Sequence, residues 1–144
     1  MNDGITIARI DPDTPERFQL LRRELGVTTF GINHIVLRPG QRGRIHVHLR
    51  QEEVFVVLDG RLTLVVDGEE HDLGPGTAAR VAPDVRRQLV NRGPATVSLL
   101  ALGGAEPHDG RDGVAYATWE STEGTSPRET PLPEDLPPAE LRTS

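Results

Sequence analysis

Short strand-like runs divided by turn residues fill most of this chain, some alternating apolar with polar at a period of two as in IHVHL at 45–49. Such runs cover residues 28–37, 45–49, 53–58, 61–66, 69–73, 77–81, 87–90 and 95–102. Turn formers divide them: Asp59-Gly60, Asp67-Gly68, Gly74-Pro75-Gly76, Pro83-Asp84 and Asn91-Arg92-Gly93-Pro94. Residues 5–10 alternate more weakly and predict a first strand. A helix is predicted near 15–25, with Asp13 or Thr14 as N-cap and Pro15 in its first turn. Phe18, Leu21 and Leu25 would share one face of that helix, and Gly26 would stop it. Short strands this closely spaced predict an all-β sandwich or barrel, and the period alone does not choose between them.

The chemistry-bearing residues gather in one stretch, GQRGRIHVHLRQEEVFVVLDG, from Gly40 to Gly60. His46 and His48 stand two apart, so on a strand they point the same way. A short turn through residues 49–52 would bring Glu53 back beside them on the next strand. Two imidazoles and one carboxylate on one face are the donors of a half-open divalent metal site. Other polar residues have plainer explanations. Glu52 should face away from Glu53, into solvent. His34 opposes the parity of Ile35 and Leu37, His71 reads as surface on a hairpin arm, and His108 lies in a Gly- and Asp-rich loop.

The spacing of Gly40, His46, His48, Glu53 and Gly60 resembles the first motif of the cupin superfamily, complete at all five positions. The resemblance covers about residues 28–102. It implies a double-stranded β-helix, or jelly-roll, barrel with one short N-terminal helix and the site inside the barrel mouth. The stretch Gly76 to Asn91, GTAARVAPDVRRQLVN, resembles the second motif less well. Aligned on Gly76 and Asn91, it puts Ala82 and Asp84 where the family has proline and glycine. Arg87 then falls where the family has its third metal histidine. Arginine has no lone pair to donate and cannot ligate a metal. A slip of one residue would put Gln88 there instead.

Two arrangements are compatible with these residues. In one, His46, His48 and Glu53 hold Fe, Mn, Ni or Zn, and Arg87 binds an anionic group of the substrate. In the other, no metal is bound, Arg87 pairs with Glu53, and the histidines are hydrogen-bonding groups of a ligand pocket. The resemblance accordingly implies a metal-dependent enzyme, oxygenase-like, acting on a small organic acid. The competing class is a non-catalytic sensor or binding module with an anion or sugar pocket.

Composition adds limits. All 16 basic residues among the 144 are arginine, and there is no cysteine, which removes disulfides and thiolate sites. Residues 1–104 carry 13 acidic and 13 basic side chains, whereas 105–144 carry 9 and 3, which is the whole net charge of −6. A neutral body and an acidic tail argue against nucleic acid and anionic lipid as partners. No apolar run could span a membrane and no basic-then-apolar leader is visible, so a cytoplasmic protein is expected. Three regions are expected: an N-terminal strand and helix (1–27), a barrel (28–104) and an acidic, Pro-rich extension (105–144) partly packed on it. Tyr116 and Trp119 would anchor that extension. A homodimer is expected from the unpaired strand edges and from the habit of the family.

Overall fold

The computed structural model describes residues 4–104 and 112–143. Ten strands follow in order: β1 Phe18–Gln19, β2 Gly31–Leu37, β3 Ile45–His48, β4 Glu52–Asp59, β5 Leu62–Val66, β6 Glu69–Leu73, β7 Ala78–Val81, β8 Arg87–Val90, β9 Val97–Gly104 and β10 Gly113–Tyr116. Among the described residues a short α-helix, α1 (Leu21–Leu25), lies between β1 and β2, and a 3-10 turn covers Pro138–Glu140. The strands form two five-stranded antiparallel sheets, ordered β1-β2-β9-β4-β7 and β10-β3-β8-β5-β6. Chain neighbours such as β3 and β4 lie in different sheets, so the chain crosses between sheets as a jelly roll does.

The alternation seen in the sequence decides which face each residue takes. Phe55 and Val57 of β4, Leu62 and Leu64 of β5, Leu89 of β8 and Leu99 of β9 meet between the sheets with Ile35, Leu37, Val81 and Val97. A second, smaller cluster lies on the outer side of the other sheet. There Val65 and Val90 are covered by Leu136, Trp119 and Leu141 from the C-terminal extension.

The turns follow from their residues. Asp67 and Gly68 have φ of 46° and 85°, the doubly positive pair of a two-residue hairpin, and Val66 pairs with Glu69 across it. Gly60 has φ of 75°, and a Cβ there would lie 2.3 Å from the Thr96 carbonyl oxygen. Only glycine fits both the conformation and the close backbone approach. Asp84, where the cupin motif has glycine, keeps a left-handed φ of 62°. Aspartate is one of the few side chains that tolerates it.

Two expectations near the N-terminus are corrected. The helix begins at Leu21 rather than at Pro15, because Phe18 and Gln19 pair with Ile35 and His34 on the edge of a sheet. Edge pairing satisfies backbone groups that a helix would otherwise have to satisfy itself. Gly26 does end the helix, in the left-handed conformation. Residues 5–10 form no strand, and Ile5 and Ile7 are 68% and 84% exposed. Among the described residues no helix is long and apolar enough to cross a membrane.

Beyond the barrel, β10 adds to the free edge of β3, pairing Gly113 with His48 and Ala115 with His46. Arg86 fastens the extension further. Its guanidinium lies 3.6 Å from the centroid of the Tyr116 ring and donates to the carbonyls of Trp119 and Ser121.

Candidate metal centre

Strands β3 and β4 carry the three candidate ligands, and the turn between them brings Glu53 back against both histidines. His46 Nε2 lies 3.4 Å from Glu53 Oε1, and His48 Nε2 lies 3.2 Å from Oε2. The two imidazoles meet edge to face, with ring centroids 5.1 Å apart. One ligand atom from each of the three residues falls within 4.8 Å of the others. All three side chains keep a little exposure, so the cluster is open to solvent on one side.

Each histidine is fixed from behind. His46 Nδ1 is 3.0 Å from the Arg44 carbonyl oxygen, and His48 Nδ1 is 3.1 Å from Asp112 Oδ1. A carbonyl and a carboxylate only accept, so both Nδ1 atoms must carry the proton. In the neutral rings both Nε2 lone pairs therefore aim at the Glu53 carboxylate, which has only lone pairs of its own. Three acceptors converging in this way require a cation among them, either protons on the rings or a metal. The donor set, two imidazole nitrogens and one carboxylate with the rings oriented from the second side, fits a divalent transition metal.

Charge in the site follows the same geometry. Burial works against ionisation of Glu53, but hydrogen bonds from His46 and His48 outweigh it and hold the carboxyl far below the usual carboxylate range. Burial also opposes a charge on His48. Hydrogen bonds to Glu53 and Asp112 prevail over it and over the neighbouring Arg87, raising its pKa above the ordinary histidine value.

Arg87 stands across from His46 in the β3–β8 ladder. Its side chain has no exposed surface. Nη1 lies 3.4 Å from Glu53 Oε1, Nη2 donates to the Ala82 carbonyl at 2.8 Å, and Nε has no partner. Gln88 turns the other way and donates to the Gly43 carbonyl. Of the two placements expected of Arg87, beside Glu53 or on a bound anion, the guanidinium takes the first here and is enclosed. A direct clamp would require that pair to open.

Of the remaining sequence candidates, Glu52 faces outward and pairs with Arg80. His34 is fully buried on the opposite face from Ile35, with Nε2 2.7 Å from Ser98 Oγ, and stands apart from the cluster. His71 is half-exposed on β6. His108 lies outside the described residues. Asn91 is buried and structural: it donates to the Leu37 and Ala95 carbonyls and accepts from the Gly93 N–H. Asp112 was missed from sequence. It lies outside both motifs, and only the pairing of β10 with β3 brings it to His48.

Comparison with known proteins agrees with this fold. Residues 33–103 match the cupin domain family. The chain is 30% identical over 103 residues to Protein SchB of Streptomyces halstedii, covering 71% of this chain and 72% of SchB. It therefore belongs to the cupin family. Polyketide synthase CurC of Streptomyces cyaneus is 32% identical over 69 residues, which are 48% of this chain and 45% of that protein. Among solved structures, a protein of Silicibacter pomeroyi named a sugar phosphate isomerase of the cupin superfamily is 30% identical. It aligns over 91% of this chain and 94% of its own, with a TM-score of 0.59.

Proposed function

We propose that this cupin is a metal-dependent enzyme acting on a small organic acid, with the metal held by His46, His48 and Glu53. The observation that carries this is the convergence of two imidazole lone pairs and one carboxylate, each imidazole locked by its far nitrogen. Three ligands leave positions open, as the sites of non-haem oxygenases do, and an oxygenase-like reaction is the form we carry forward. The metal, when bound, supplies a Lewis-acid centre that polarises a substrate oxygen.

The protein's own residues do the rest. His46 and His48 present unprotonated nitrogens. Glu53 neutralises part of the metal's charge. Arg87 restrains Glu53 Oε1 and adds a permanent positive charge just behind it. A dication and one guanidinium outweigh the carboxylates of Glu53 and Asp112, and the positive surplus favours an anionic ligand over a neutral one. In this form Arg87 selects a carboxylate or enolate through its field rather than through direct contact.

A non-redox reaction is the second reading, favoured by the long alignment with the Silicibacter protein named a sugar phosphate isomerase. Metal-free protein titrated with Fe(II), Mn, Ni and Zn should take up one equivalent, and the His46→Ala/His48→Ala variant none while staying folded. Oxygen uptake with organic acids would support the oxygenase. Solvent deuterium incorporated next to the carbonyl of a sugar phosphate, without oxygen uptake, would support the isomerase. If no metal titrates in, the metalloenzyme reading fails and a metal-free binding pocket replaces it.

A further inference from the structure

Asp112 sits past residue 103, where the match to the cupin domain ends. Its residue is only 5% exposed, and every polar atom of its side chain is engaged. Oδ1 faces His48 Nδ1 at 3.1 Å, while Oδ2 accepts from the backbone N–H of Arg50 at 2.7 Å and of Gln51 at 2.9 Å. Its own carbonyl accepts from the Leu49 N–H. Residues 49–51 are the turn between β3 and β4, so one carboxylate holds both the ring of His48 and the turn that returns Glu53. Gly113 follows, and a Cβ there would lie 3.7 Å from His48 Cε1 and 3.4 Å from the Pro127 side chain, so the chain runs close against the imidazole.

The geometry assigns Asp112 as a positioning residue of the metal centre, supplied by the C-terminal extension rather than by the cupin domain. The assignment builds on the metal reading above but has its own test. An ionised carboxylate only accepts hydrogen bonds, so it keeps the His48 proton on Nδ1 and leaves Nε2 free as a ligand. Asparagine has nearly the same shape and the opposite consequence. Two N–H donors face the Oδ2 position, so the amide oxygen of Asp112→Asn must settle there. Its NH2 then faces His48 Nδ1, which can only be satisfied if that nitrogen accepts. The ring proton moves to Nε2, and the lone pair needed for a metal is lost. The turn keeps both of its backbone hydrogen bonds, so the fold should survive.

The test compares the full chain with Asp112→Asn by metal titration and by nitrogen NMR of the histidine rings. The comparison is made on metal-free protein at a pH where the nitrogen spectra themselves show neutral rings. There the Glu53 and Asp112 carboxylates compete for the one His48 proton, and Asp112→Asn should carry a larger share of it on Nε2 than the unsubstituted protein does. Zn affinity should fall about 10- to 100-fold with an unchanged urea midpoint. An unchanged His48 tautomer would overturn the assignment, and so would equal Zn affinity in two folded proteins. If the unsubstituted protein binds no metal, the metal reading falls, while the tautomer comparison still decides the role of Asp112. Should Asp112→Asn unfold, Asp112→Ala supplies the second comparison, because it frees the ring without inverting it: a ring in Asp112→Ala still protonated wholly on Nδ1 would refute the role.

Discussion

Replacing Arg87 with Met should destabilise the metal-free protein more than any change at an exposed arginine. The side chain is wholly enclosed, with one nitrogen 3.4 Å from Glu53 Oε1 and another 2.8 Å from the Ala82 carbonyl. Met fills most of the volume but restores neither bond. It leaves the Glu53 carboxylate without its permanent counter-charge and the Ala82 carbonyl without its donor. Breaking a buried pair by removing one partner costs about 3–5 kcal/mol. Glu53 keeps His46 and His48 as partners, so the lower end applies, about 3 kcal/mol. For a chain of this size that corresponds to a melting temperature lower by about 6–12 °C. The measurement is urea and thermal unfolding in the presence of chelator, for Arg87→Met, Glu53→Gln and the double variant. The double variant should lie closer to the unsubstituted protein than Arg87→Met does, because removing both charges leaves neither unpaired. A change within about 0.5 kcal/mol for Arg87→Met, or strictly additive effects, would refute the coupling of Arg87 to Glu53.

Three further outcomes follow from the structure. Gly60→Ala should cost about 2 kcal/mol or more, since strain at positive φ adds to a backbone clash, whereas Gly68→Ala, in open space, should cost about 1 kcal/mol; equal urea midpoints for the two would contradict the close approach to Thr96. Burial lowers the pKa of His34, with Asp11 acting weakly the other way, so the folded state resists its protonation. Its stabilising contribution is complete above about pH 6.5, its unfolded value, and is lost as pH falls from there towards the folded value. His34→Gln should therefore show a flatter decline in urea midpoint between about pH 8 and 5, and a parallel decline would count against the burial argument. Ile5 and Ile7 stand exposed in the segment that precedes β1, and we expect them to be covered by a second copy. Light scattering should give twice the chain mass at micromolar concentration, falling to one chain mass on truncation of residues 1–12; a monomer before truncation would rule this out.

Most of the barrel was legible because Asp-Gly and Gly-Pro turns divide it into short strand-like runs, of which β3 and β4 also alternate in burial. Residues 69–73 and 87–90 were placed to the residue, since β6 ends in tight turns and β8 begins just beyond Pro83-Asp84. The N-terminus was not legible. Pro15 with Thr14 before it carries helix-start chemistry, but the pairing of Phe18 with Ile35 is a contact between distant segments that no local pattern announces. The same distinction runs through the site. His46, His48 and Glu53 lie within eight residues and reveal themselves by spacing. Asp112 is 64 positions from His48, and only the ladder of β10 on β3 joins them.

Arg86 and Arg87 are adjacent, yet they send their guanidiniums to opposite sides of the same strand end, one to Tyr116 and the extension, the other to Glu53. One connection, residues 82–86, thus sets the registration of both. An insertion or deletion there would unseat the tail and the candidate metal carboxylate together, and it would also disturb the Asp67-Gly68 hairpin, since the Asp67 N–H donates to the Arg86 carbonyl. Efforts to graft loops onto this scaffold, or lineages that lengthen its turns, should find almost no tolerance at 82–86.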